Sequence, residues 1–244
     1  YSLLHVAPAE KFLGPDPVAS AIRRSSTTPD QATARLKCRD SFYTDLRAVS
    51  NGFEKTNIND SFQLKHAAIL YERLYGIASV SRPRLPEAPL DRVVEDHQRA
   101  IRQRVFDLLN VENLVSDRVE SDPSWPVLET GPWQDRASFV VQKNPTALPR
   151  AYVVGRAKVL EADPSRILSS LLAHDPRSSV GMFEDPLAGL PEKREDRQTF
   201  KPASWLSADP DHPVIEVTTE KPGLLVIADT WMPGWIATLD GKPT

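Results

Sequence analysis

Two runs of side chains in this sequence have the types and spacing to meet a ligand. In Lys55-Thr56-Asn57-Ile58-Asn59-Asp60, with Gln63 three residues on, amide, hydroxyl and ionic groups crowd the opening of a helical pattern. Free backbone N–H groups and the positive end of a helix dipole favour polar or anionic partners there. The plainer alternative is that these residues cap the helix and shape the turn before it. In Trp231-Met232-Pro233-Gly234-Trp235, Pro-Gly suits the centre of a type II turn and brings two indoles together. Indole faces stack on sugar rings, although a tryptophan beside a strand is more often a core residue. The ligand-binding candidates are therefore Lys55, Asn57, Asn59, Asp60, Gln63, Trp231 and Trp235.

Other chemistries find no foothold. His5, His66, His97, His174 and His212 are scattered, with no HExxH pair and no cysteine partners at zinc spacing, so neither a metal nor another cofactor is expected. His97 lies beside an apolar stripe and reads as a boundary residue. The chain has no G-x-S-x-G elbow, and its single cysteine, Cys38, lacks a nucleophile's local signature and reads as a small buried hydrophobe. Gly52-Phe53-Glu54-Lys55-Thr56 has the end of a phosphate loop, but Glu54 and Ala48 stand where the backbone needs glycine to wrap phosphate. Asp209-Pro210-Asp211 has the Asp-x-Asp spacing of a cation site beside a diphosphate, a pattern that polar, proline-bearing loops produce by chance. Glu95-Asp96 and Glu184-Asp185 are neighbours whose side chains point apart on a helix or strand. No catalytic residue is nominated.

The elements that would position these groups follow from periodicity. Pro17 to Arg24 is consistent with a short helix, and Phe42 to Val49 is an ambiguous apolar stretch. Asp60 caps a helix whose stripe is Leu64, Ala67, Ala68, Tyr71, Leu74 and Tyr75, ending before Gly76. The prolines of Ser81 to Pro89 forbid its continuation. Leu90, Val94, Ile101, Val105 and Leu108 predict a second helix ending near Asn110, and Val111 to Val115 a strand. Asp122-Pro123-Ser124-Trp125-Pro126 marks a break. Beyond it Phe139 to Val141 and Tyr152 to Val154 read as strands, and Asp163-Pro164 opens a helix with Ile167, Leu168, Leu171 and Leu172 on one stripe. A strand at Val180 to Phe183 would then complete a β-α-β unit. Pro186 to Pro202 reads as an exposed loop, followed by strands at Val214 to Val217, Leu224 to Ile227 and Trp235 to Leu239. The expected fold is α+β: a mixed, helix-rich part at residues 1–125, then a β-α-β unit and a mostly antiparallel, sandwich-like sheet at 126–244.

Composition sets the outer bounds. With 40% hydrophobic and 26% charged residues the chain can bury a core, and its formal charge of −3 supplies no basic stripe for nucleic acid. No apolar run approaches the ~18 residues that cross a bilayer. The start at Tyr1 has neither an initiator methionine nor a signal peptide, and Asp240-Gly241 forms a hairpin signal whose returning strand is expected to lie beyond Thr244. Both ends therefore read as cuts from a longer protein.

Four stretches carry a family resemblance. The strongest is Pro222 to Trp235, followed by Ala237 and Asp240-Gly241-Lys242; the others are Leu108 to Val111, Asn144 to Tyr152, and Asn51 to Tyr75. Together they resemble the large extracytoplasmic domain of bacterial YfhO-like proteins, multi-pass membrane proteins regarded as GT-C-type glycosyltransferases. The resemblance spans roughly residues 40 to 244. It implies a parent that moves a sugar from a polyprenyl-phosphate donor to a cell-envelope acceptor, with this domain outside the cell between membrane helices. The family's presumed catalytic acid belongs to a loop near those helices, so no catalytic residue carries over. The sequence departs from the family in Trp231-Met232, where two aromatics often stand, and in the polar run Lys55 to Asp60.

Three readings follow. The first is a non-catalytic extracytoplasmic domain that positions an envelope glycan or lipid-linked sugar and packs on the membrane-embedded remainder of the same protein. The second is a structural or protein-interaction domain without a ligand. The third is an independent soluble carbohydrate-active enzyme, which would need two carboxylates about 5 to 10 Å apart in a cleft, and no such pair is evident.

Overall fold

A computed structural model describes residues 15–25, 35–38, 53–55, 95–120, 124–133, 136–160, 170, 173–183, 198–209, 211–229 and 234–243. Among these the chain is mostly strand, in sheets that are largely antiparallel, with few helices. The expected helix over Asp60 to Tyr75 and the stretch Phe42 to Val49 lie outside the described residues, as does most of the expected helix after Asp163.

Helix α1, Pro17–Ser25, starts as its sequence dictates: the Asp16 carboxylate accepts the Ala19 N–H at 3.0 Å and Pro17 takes the first helical position. Val18, Ala19, Ala21 and Ile22 are buried in one cluster with Phe53, Val115, Trp133, Phe139 and Val141. Apart from Phe53, which immediately precedes β2, the residues behind that face belong to a five-stranded mixed sheet in the order β2-β1-β3-β5-β4. Its strands are β1 Arg35–Cys38, β2 Glu54–Lys55, β3 Val111–Ser116, β4 Val127–Trp133 and β5 Arg136–Lys143. β1 runs parallel to β2 and β3, while β5 is antiparallel to β3 and β4. Helix α2, Glu95–Leu108, ends where the periodicity expects and leads straight into β3. Its Phe106 packs with Val111, Leu114 and Trp125. The consecutive β3 residues Leu114 and Val115 thus join different clusters, Leu114 that of α2 and Val115 that of α1.

β4 is absent from the periodicity reading, since Gly131 and Pro132 interrupt it; as an edge strand it tolerates a proline. Strands from both sides of the Asp122 to Pro126 break pair within this sheet.

A second, three-stranded antiparallel sheet has β6 Ala151–Val154 at its centre, flanked by β12 Leu224–Ile227 and β9 Lys201–Pro202. β6 is buried along its whole length, as a central strand should be. Leu148, Tyr152 and Val154 form the second core, with Leu108, Val180, Phe200, Leu224 and Val226 against it. Gly223 lets β12 start close to β6, for a Cβ there would fall 2.8 Å from Val153 Cγ1. The expected loop Pro186 to Pro202 thus ends in an edge strand.

The parallel partner of β8, Val180–Met182, is β7, Ala157–Val159. Patterning did not single out β7, and β6 has both edges taken, by β12 and β9. Two hairpins complete the description: β10 Ser204–Ser207 with β11 Val214–Glu216, and β13 Thr238–Leu239 with β14 Lys242–Pro243. The returning strand expected beyond Thr244 begins inside the chain. Asp240 and Gly241 take φ of 49° and 77°, as a two-residue type I′ turn requires. Of the strand expected at Trp235 to Leu239, only Thr238 and Leu239 are paired.

Candidate functional site

The site is built around the junction of the two sheets. At the end of α2, Asn110 turns the chain out of the helix with φ 56°, a left-handed conformation that asparagine tolerates better than most residues. Its Nδ2 donates to Leu148 O at 2.6 Å, and Leu148 N–H donates back to Asp107 O at 3.1 Å. Beside it, Asn144 Nδ2 donates to Val111 O at 2.9 Å and to Asp107 Oδ1 at 3.0 Å. Gln103 and Thr146 also donate to that carboxylate oxygen, each at 2.8 Å, and Trp125 Nε1 fixes the Gln103 amide by donating to its Oε1 at 2.6 Å. Asp107 and Asn144 are buried. The Asp107 carboxylate oxygen thus receives three donors from its own fold, each a charge-assisted hydrogen bond.

The segment leaving this knot carries Arg150 into β6. β6 pairs with β12 so that Ala151 faces Ile227, and Ala228 N–H extends the ladder to Arg150 O at 2.8 Å. The two side chains next to that ladder end meet: Arg150 Nε and Nη2 donate to Asp229 Oδ1 at 3.2 and 3.0 Å, and Nη2 also reaches Oδ2 at 3.2 Å. Their side chains are only 11% and 14% exposed. The centroid of the Trp205 ring of β10 lies 4.7 Å from the guanidinium carbon, so the cation meets an indole face as well as a carboxylate.

Past this pair the chain reaches the solvent. Gly234 has φ 101°, the sign that the second central residue of a type II turn demands, in agreement with the Pro-Gly reading. Every residue from Gly234 to Pro243 is exposed, among them Trp235 at 40% and Ile236 at 84%. Trp235 is therefore a surface indole, against the commoner core placement of a tryptophan beside a strand.

Lys55 lies in β2, at the other edge strand of the five-stranded sheet, and is not in the same sheet as any strand near Trp235. Asn57, Asn59, Asp60, Gln63 and Trp231 lie outside the described residues. Asp209 spends its Oδ1 on its own loop, accepting the Asp211 N–H at 2.9 Å and the His212 N–H at 3.3 Å. No group of three or more His, Cys, Asp or Glu side chains among the described residues could hold a metal ion. Arg150, Asp229 and Asn144 were singled out in sequence only as members of the resembling stretches, Asn110 also as the expected end of a helix, and no spacing marked Gln103, Asp107 or Trp205.

Comparison of the chain with protein-family models, curated protein sequences and solved structures gives no match. What the geometry does show is that three of the four stretches singled out in sequence meet. Asn110 bonds Leu148, Arg150 bonds Asp229, and Ala151 to Val154 pair with Leu224 to Ile227.

Proposed function

We propose that this chain is a non-catalytic extracytoplasmic domain of a YfhO-like multi-pass membrane protein, and that it holds an envelope glycan for a sugar transfer carried out elsewhere in the parent. The observation that carries this reading is the meeting of Leu108 to Val111, Asn144 to Tyr152 and Pro222 to Trp235 around one junction, which ends in an exposed indole. An indole face on a protruding turn is suited to the apolar face of a sugar. The Asp107 and Asp229 carboxylates are both engaged by donors from their own fold, consistent with a binding role without chemistry. In this reading the domain is α+β, its C-terminal strands forming a sandwich-like unit, and it rests on the membrane-embedded remainder of the same protein.

A ligand-free interaction domain is the competing reading, favoured by the engagement of the Asp107 and Asp229 carboxylates with donors of their own fold. Intrinsic fluorescence titrated with a panel of envelope oligosaccharides separates the two, with Trp231→Ala and Lys55→Ala run alongside. A saturable change that either variant abolishes while remaining folded supports glycan holding; a flat response across the panel supports the interaction domain.

A further inference from the structure

We propose that Asp240-Gly241 is a covalent modification site, where the main chain passes through an aspartimide ring to isoaspartate and the β13–β14 hairpin is lost. The inference is independent of the glycan reading and concerns the exposed arm from Gly234 to Pro243. The reaction needs a carboxyl free to be attacked, a following amide nitrogen free to attack, and no side chain in the way. Asp240 and Gly241 are both exposed, and among the described residues neither the Asp240 carboxylate nor the Gly241 N–H has a hydrogen-bond partner. Gly241 carries no side chain, and nothing lies within 4 Å of where a Cβ would stand.

Each other described aspartate lacks one of these conditions. Asp16, Asp175 and Asp209 precede proline, which has no N–H to lose. The Asp107 and Asp229 carboxylates are bound by donors. Asp117 and Asp211 precede residues with bulky side chains, and the His212 N–H is already given to Asp209 Oδ1.

Ring closure requires the Asp240 backbone to leave its turn conformation, so the hairpin must open first. It resists little. The ladder has two residue pairs, Thr238 with Pro243 and Leu239 with Lys242, none of them buried, and Pro243 has no N–H to give it. In the open form the Gly241 nitrogen bonds to Asp240 Cγ, and the hydroxyl of the protonated carboxyl leaves as water with the amide proton. Water then reopens the ring. Attack at Cγ restores aspartate, whereas attack at the main-chain carbonyl leaves Gly241 linked through Cγ, as isoaspartate. The main chain of that product runs through Cβ and Cγ, one atom longer. Since loop length sets the register of a two-residue hairpin, Leu239 no longer meets Lys242.

The test ages the folded chain at neutral pH in heavy-oxygen water, beside a reference unfolded in guanidinium chloride. Mass spectrometry with electron-transfer fragmentation then separates aspartate from isoaspartate in the peptides, and each passage through the ring leaves a solvent oxygen behind. In the folded chain isoaspartate and heavy oxygen are expected to accumulate at Asp240, within several-fold of the unfolded reference, and not at Asp107 or Asp229. Gly241→Ala should slow the accumulation several-fold even though it strains the turn, because a side chain then crowds the attacking nitrogen. In the aged fraction, amide exchange at Leu239 and Lys242 should quicken while that of the buried Val115 and Val141 stays unchanged. Label at Asp240 no greater than at Asp107 and Asp229, or accumulation undiminished in Gly241→Ala, overturns the site. Isoaspartate at Asp240 with parent exchange rates at Leu239 and Lys242 overturns the loss of the hairpin.

Discussion

Arg150 and Asp229, 79 positions apart in sequence, close a forked ion pair at one end of the β6–β12 ladder, with Nη2 3.0 Å from Oδ1. The pair is shielded enough that removing one partner leaves the other poorly solvated. Arg150→Ala is expected to cost about 2–4 kcal/mol, chiefly the penalty of a lone carboxylate, and Arg150→Lys about 1 kcal/mol. Urea denaturation of the two variants checks both the sizes and their order.

Asn110 serves two purposes, a left-handed backbone and a side-chain bond to Leu148 O. Asn110→Gly keeps the first and loses the second, for about 1 kcal/mol, whereas Asn110→Ala loses both, for about 2 kcal/mol. Thermal melts should rank the chains parent, then glycine, then alanine. Equal losses would show that the backbone conformation carries no cost.

Burial pushes the Tyr152 hydroxyl up to about 12, with the nearby Arg177 charge opposing the shift. The ordinary tyrosine value is about 10, so above it the unfolded chain releases a proton that the folded chain retains. The contribution is fully present below pH 10 and is lost as the pH climbs towards 12. Tyr152→Phe should therefore flatten the alkaline fall in melting temperature relative to the parent chain. Parallel pH profiles of the two would contradict this.

The β13–β14 hairpin is expected to open on its own. Gly241, at φ 77°, has nothing within 4 Å of an added Cβ, so Gly241→Ala meets only backbone strain, about 1 kcal/mol. Amide exchange at Leu239 and Lys242 should quicken while the melting temperature of the chain stays put.

How far the sequence revealed this arrangement depended on the kind of signal each part carries. Helix α2, β3 and the Asp240-Gly241 turn were legible because periodicity, strand-forming side chains and positive-φ residues are local signals. β4 was hidden by Gly131 and Pro132, which an edge strand accepts but a local reading treats as punctuation. The partner of β8 was not legible, because pairing is decided by which edges other strands leave open, a long-range matter. The Pro-Gly turn was readable as a turn, and Trp235 as a candidate within it. The Arg150–Asp229 pair was not, since no local pattern marks residues 79 positions apart as partners.

The central claim is that this chain holds a glycan on the Trp235 arm. Saturation-transfer NMR from the chain to unlabelled envelope oligosaccharides, repeated with Trp235→Ala, tests it most directly. The account predicts transfer to at least one sugar, concentrated on the protons of one ring face, and its loss in a variant that remains folded. Transfer undiminished in Trp235→Ala, or none to any sugar from the parent chain, would contradict it.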